Sequence, residues 1–375
     1  MKIAFLFPGQ GSQAVGMGRE LAAASRAAAA VFQEADEALA FSLSRLCFEG
    51  PEADPALTAN TQPAVLTASV AAAAALAERG VTPQLAAGHS LGEYSALVVA
   101  GALRFPDAVR LVRKRGEFMQ EAVPVGMGAM AALLGVELSV AEEVCAEAAR
   151  GEVVGVANIN SPGQIVIAGH RTAVERAVSA AAARGGKKSV MLPVSAPFHS
   201  ALMKPAADRL AAELDAVRVT APRIPVVRNV DAGVTAAADQ VRPFLVRQVQ
   251  SPVRWTECLE RLAREGATAF VEVGPGRVLT GLLKRTLDGT RGLAVEDPAS
   301  LEKAVAALTK VGEAQPQASR AEMETPRAER GGEAQPAVRG AAAGEPSRMD
   351  QEARSAPSRA EMEIPRAERG GEARA

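Results

Sequence analysis

From Lys2 to about Val311, short β-branched and apolar runs alternate with longer Ala- and Leu-rich stretches. That rhythm predicts strands separated by helices, and hence an α/β fold with a parallel sheet. The first apolar run, residues 1–7, stops at Pro8-Gly9. It predicts a buried strand and is too short for the apolar region of a secretion signal. The Ala-rich stretch at 71–76 meets Glu78 and Arg79, well short of the roughly 20 apolar residues of a membrane span. Within the α/β stretch, strands are predicted at 127–136, 153–158, 164–168 and 189–194, with helices at 139–150 and 172–184. The resulting order, β-α-β-β-α-β, is that of a ferredoxin-like unit. Residues 126–194 are therefore expected to form a subdomain inserted into a core made of 1–125 and 195–311.

Past Val311 the periodicity disappears, and Pro, Gly, Ala, Glu and Arg dominate. Such a segment buries too little apolar surface to offset its ordering entropy, so 312–375 is expected to be a disordered tail. The stretch from Ser319 to Ala334 recurs from Ser358 to Ala373, with Thr325 replaced by Ile364. This duplication is read as solvated low-complexity sequence.

Composition narrows the partners. The net charge of −1 over 375 residues gives no basic field for nucleic acid. Cys47, Cys145 and Cys258 are odd in number and far apart, which indicates neither a disulfide framework nor a zinc site. A reducing, cytoplasmic compartment is expected.

The densest chemistry lies at Gly88-His89-Ser90-Leu91-Gly92, between an apolar run and a helix-favouring one. G-x-S-x-G in a strand–turn–helix context is a nucleophile elbow, in which a tight turn pushes the serine outward. The amide of Leu91, at the start of the helix, is placed to stabilise an oxyanion. A serine needs a base, and the chain has three histidines. His89 adjoins Ser90 and reads as a supporting residue. His170 reads as a surface loop or helix cap. His199, where the insertion rejoins the core, reads as the base. Spacing identifies no acid to orient it; a backbone carbonyl would serve as well. After the first strand, Phe7-Pro8-Gly9-Gln10-Gly11-Ser12-Gln13 lies where open α/β sheets carry ligand loops. The amide of Gln10 is the expected second oxyanion donor.

The helix expected at 106–122 carries an anomaly. Ala108, Leu111, Val112, Met119 and Ala122 form an apolar stripe, Arg110, Arg113, Lys114 and Glu117 lie off it, and Arg115 falls inside it. A guanidinium facing the interior needs an acceptor. Two readings stay open: an ion pair with an internal carboxylate, or a fork that grips a carboxylate of the substrate.

Together these segments resemble the malonyl-CoA:acyl carrier protein transacylase family from about Ile3 to Leu308. The resemblance rests on the motifs at Phe7 to Gln13 and Gly88 to Leu97, and on Arg115-Gly116-Glu117-Phe118-Met119-Gln120. It also rests on Asn158-Ile159-Asn160-Ser161-Pro162-Gly163-Gln164, Pro197-Phe198-His199-Ser200-Ala201-Leu202-Met203 and Glu272-Val273-Gly274-Pro275-Gly276. It implies an α/β-hydrolase-like core with a ferredoxin-like insertion, Ser90 as acylated nucleophile and His199 as base. His199 would be oriented by the main-chain carbonyl of Gln248. Gln10 and Leu91 match the oxyanion donors, and Arg115 matches the residue that pairs with the malonyl carboxylate. Asn160 falls in a motif beside the site and is expected to lie against the substrate. The implied reaction is ping-pong transfer from malonyl-CoA to the phosphopantetheine thiol of acyl carrier protein, which needs no metal and no bound redox cofactor; a monomer is expected. Phe198, beside the base, would crowd a 2-methyl branch and favour malonyl over methylmalonyl. Other readings are a discrete acyltransferase serving a polyketide synthase, a serine esterase, for which Arg115 has no use, and a non-enzymatic scaffold organised by the tail.

Overall fold

The computed structural model describes residues 1–50, 58–194 and 196–314. The duplicated segment lies outside these, as does the expectation of disorder attached to it. Ten strands among the described residues form two sheets. In the larger, β1 (Ile3–Phe7), β2 (Leu85–Gly88), β7 (Val226–Val227), β9 (Ala269–Val273) and β10 (Gly292–Val295) run parallel in the order β10-β9-β1-β2-β7. One edge departs from the all-parallel expectation, because β8 (Val234–Thr235) pairs antiparallel with β7. The link between them is a short turn, whereas a parallel return needs a crossover of about a dozen residues or more.

β1 and β2 are buried along their whole length, as central strands covered on both faces must be. Phe5, Phe7 and Ala86 face a large core shared with Leu66, Tyr94 and Val112. Ala4, Leu6, Leu85 and Ala87 face a second core with Trp255, Leu259 and Leu282. The Ala-rich run sits in helix Thr58–Glu78, enclosed by helices Arg26–Leu39, Gly92–Val99 and Phe105–Glu121. Its small side chains let those helices approach closely. Among the described residues no helix is long and apolar enough to cross a membrane.

The smaller sheet comprises β3 (Gly128–Leu134), β4 (Val154–Ser161), β5 (Gln164–His170) and β6 (Lys188–Met191). Its order is β4-β5-β3-β6, with every pairing antiparallel. Helices Leu138–Ala149 and Arg171–Ala183 cover it around an apolar cluster of its own. This is the ferredoxin-like arrangement expected from the pattern. β6 ends at Met191 rather than 194; Leu192 and Val194 instead turn toward a cavity at the edge of the large sheet. β4 is tied to the core just before helix Trp255–Arg264, where Val253 exchanges backbone hydrogen bonds with it, Ile159 N to Val253 O at 2.9 Å and Val253 N to Ala157 O at 2.9 Å. The last helix, Pro298–Ala314, continues past Val311.

Candidate active site

The parallel order sets β1, β2 and β7 side by side, so the segments leaving their carboxyl ends meet at one edge of the sheet, where open α/β sheets bind ligands. Ser90 leaves β2 with φ at 51°. The turn is possible because both flanking glycines are in close contact with other backbone. A Cβ on Gly88 would lie 1.8 Å from the carbonyl carbon of Gly92, and one on Gly92 would lie 2.0 Å from the oxygen of Phe7. His199 also has a left-handed backbone, with φ at 59°. A non-glycine residue is rarely held there unless its surroundings fix it, and such residues gather at functional sites.

The two side chains meet. Ser90 Oγ lies 2.7 Å from His199 Nε2, and His199 Nδ1 lies 3.0 Å from the carbonyl oxygen of Gln248. A carbonyl can only accept, so Nδ1 carries the proton and Nε2 is left as acceptor for the serine hydroxyl. Burial, and after it the nearby Arg115 charge, push the imidazole down to about 3. His199 is therefore neutral over the ordinary pH range, the state a base requires. The orienting group that spacing alone could not identify is this carbonyl, in the last turn of helix Ala238–Val249.

Arg115 is 1% exposed, on the buried stripe of helix Phe105–Glu121. Its Nη1 donates to Gln62 Oε1 at 2.7 Å, and its Nη2 donates to Gln248 Oε1 at 3.0 Å and Ser90 Oγ at 3.2 Å. Its guanidinium carbon lies 5.4 Å from the centre of the Tyr94 ring. Among the described residues no carboxylate comes within ion-pair distance of it, and Nε has no hydrogen-bond partner. Desolvation pulls its pKa down, opposed by Tyr94 and Glu93. The direct internal ion pair, one of the two readings open from sequence, is not what the fold builds.

A cavity of about 130 Å³ opens over these groups. Gln10 and Leu91 line it with Ser90, His199 and Arg115, and Met119, Met130, Leu192, Val194 and Phe198 supply apolar wall. Asn160, expected beside the substrate, instead brings its Oδ1 to 2.8 Å from His89 Nε2, while Asn158 of the same strand lines the cavity. His89 is thus a supporting residue, edge-on to Trp255 with ring centres 5.5 Å apart. His170 is remote from the site; its Nδ1 accepts from Val153 N at 2.9 Å and ties β5 to the segment before β4.

Four groups escaped the sequence reading. Asn229 Oδ1 accepts from Ser90 N at 2.7 Å while its Nδ2 donates to Gly88 O at 2.7 Å, bracing the elbow. Gln62 holds Arg115. The amide of Gln248 bridges Arg115 to Glu93, whose Oε2 accepts from Gln248 Nε2 at 2.8 Å and from Asn229 N at 3.0 Å. Burial pushes the Glu93 carboxyl up to about 7 against those hydrogen bonds and the Arg115 charge. The available signal was a polar residue at a buried helical position, as Gln62 is in an Ala-rich helix and Glu93 is in Gly92–Val99.

Comparison with known proteins decides the family. The acyl transferase domain family matches residues 4–332. The chain belongs to the acyl transferase family. It is 51% identical over 305 residues to the malonyl CoA-acyl carrier protein transacylase of Escherichia coli K12, spanning 81% of this chain and 99% of that protein. It is 50% identical over 308 residues to the Bacillus subtilis 168 protein of the same name, spanning 82% and 97%. Among solved structures, an acyl carrier protein S-malonyltransferase from Vibrio cholerae superposes with a TM-score of 0.80 at 49% identity, covering 81% of this chain and all of that one. A malonyl-transacylase solved in complex with its type II PKS acyl-carrier protein matches with a TM-score of 0.80 at 48% identity, covering 82% and 100%. The chain is an acyltransferase.

Proposed function

We propose that this acyltransferase carries the malonyl group from malonyl-CoA to the phosphopantetheine thiol of acyl carrier protein, supplying fatty-acid elongation. Ser90 Oγ attacks the thioester carbonyl as His199 Nε2 takes the hydroxyl proton. The tetrahedral oxyanion is held by the amides of Gln10 and Leu91. As the intermediate collapses, the carbon–sulfur bond breaks and the coenzyme A sulfur takes the proton from His199. The carrier thiol then runs the sequence in reverse, giving its proton to His199 and regenerating Ser90. Gln248, through its carbonyl, keeps the imidazole in the tautomer both halves need. Asn160 supports the elbow through His89, and Phe198 limits room for a branched acyl group.

The observation that carries this reading is Arg115, a buried guanidinium with no carboxylate partner among the described residues, 3.2 Å from the nucleophile. A simple ester has nothing to offer it, whereas the free carboxylate of a malonyl group does. The three cysteines are free and buried, in keeping with the proposed cytoplasmic setting, and the transfer needs no second copy of the chain. A second reading keeps the chemistry and changes the carrier: the likeness to a transacylase solved with a type II PKS carrier protein favours it. Incubating the protein with malonyl-CoA and either a fatty-acid or a type II polyketide carrier protein separates the readings. Faster malonylation of the fatty-acid carrier is expected. The opposite preference selects the second reading, and release of malonate to water with neither carrier loaded would overturn both.

A further inference from the structure

The position of Glu93 is costly by itself. It stands in the first turn of helix Gly92–Val99, where a carboxylate is ordinarily solvated and favoured by the helix dipole, yet it is 2% exposed. Helix capping alone would not require burying it. Its contacts show a more specific use.

The side-chain amide of Gln248 has two ends of opposite character. Its oxygen accepts from Arg115 Nη2 at 3.0 Å, and its nitrogen donates to Glu93 Oε2 at 2.8 Å and to Ser90 O at 2.9 Å. Turned over, the amide would set N–H against the guanidinium and oxygen against the carboxylate, losing hydrogen bonds to two buried charged groups. Glu93 therefore fixes which way Gln248 faces, and with it the acceptor that holds Arg115 beside Ser90. The same Oε2 accepts from Asn229 N at 3.0 Å, and Asn229 holds the Ser90 amide at 2.7 Å. One carboxylate oxygen thus joins two arms, one ending on the elbow and one on the guanidinium.

We infer that Glu93 is a positioning residue of the transfer site, acting through the Gln248 amide and Asn229 to aim Arg115 at the acyl carboxylate and so to set selection for dicarboxylic over monocarboxylic thioesters. This rests on the malonyl-transfer reading. The acetyl group has no carboxylate for Arg115 to meet, so misdirecting the arginine should weigh on malonyl and much less on acetyl.

The test is single-turnover acylation of the full chain by malonyl-CoA and acetyl-CoA, with a melting curve for each variant. Glu93→Ala is expected to lower malonyl kcat/KM by about 10-fold to 100-fold, the range of an unmade buried charged hydrogen bond, and to lower the malonyl-to-acetyl ratio. Glu93→Gln, whose carbonyl can accept both N–H groups, should recover most of that loss. Gln248→Ala, which keeps the backbone carbonyl on His199, should lower the same ratio and carries the test if Glu93→Ala does not fold. Equal losses on both thioesters, or an unchanged ratio in folded variants, would overturn the inference and leave the proposed function standing. If the unmodified protein is not acylated by malonyl-CoA at all, the function fails first.

Discussion

The surface of the insertion and the buried centre of the core handle charge in opposite ways. In the insertion, Arg184 meets Glu143 and Glu147, and Arg176 meets Glu152, all at the surface and in ordinary ion pairs. In the core, Arg115 and Glu93 are almost wholly enclosed and do not touch; the Gln248 amide stands between them. The surface pairs are solvated and add little, whereas buried charges held apart cost stability that direct pairing would partly recover. A fold keeps such an arrangement where one charge must stay available, and here the available charge is the guanidinium beside Ser90. The difference teaches where substitutions should be felt as chemistry and where they should scarcely be felt.

The contrast can be broken at several points. Replacing His199 with Ala should slow acylation by at least about 100-fold, the low end of a general-base contribution, with stopped-flow labelling as the measurement; a rate near wild type would reassign the base. Replacing Arg115 with Ala removes the counter-charge for a substrate carboxylate, a loss of about 2–5 kcal/mol that should cut malonyl kcat/KM by about 30-fold to several thousand-fold. Acetyl transfer should hold or rise. Equal losses on both thioesters would mean that Arg115 is structural.

A smaller effect concerns pH. Because His199 is held down to about 3, the unfolded chain binds a proton near the ordinary histidine value of about 6.5 and the folded chain does not. The stability linked to the neutral buried ring is therefore present above about 6.5 and is lost as pH falls toward 3. The fall in Tm on acidification should be shallower in His199→Gln than in wild type, and parallel curves would contradict the buried neutral state. The smallest effect belongs to the insertion: Arg184→Ala should change stability by no more than about 1 kcal/mol and leave malonyl transfer unaltered. A marked loss of activity there would erase the distinction between the two regions.

Much of this was legible in the sequence because local pattern and local chemistry coincide. The β-α-β-β-α-β rhythm located the strands and helices of the smaller sheet within a few residues, and the elbow announced itself by glycines that the turn requires. Arg115 stood out because a charge interrupts an apolar helical stripe. What stayed hidden to pattern and spacing depends on long-range closure. Gln248 reaches His199 by a backbone carbonyl, which has no residue-type signature and which only the family resemblance supplied, and Asn229 braces Ser90 only because β7 packs beside β2. Asn160 fell in a recognisable motif, yet its side chain turns to His89 rather than to the cavity. Val234 and Thr235 carry no mark that they would close the parallel sheet with an antiparallel edge.

The claim at the centre is that Ser90 becomes covalently malonylated while Arg115 faces the acyl carboxylate. Mass measurement of the intact protein after brief exposure to malonyl-CoA tests it most directly, with Ser90→Ala run beside it. The account predicts one added malonyl group on the wild-type chain, mapped to the peptide containing Ser90, and none on the variant, whose melting curve should match wild type. Labelling of Ser90→Ala to the same extent, or a label mapped elsewhere on the chain, would contradict it.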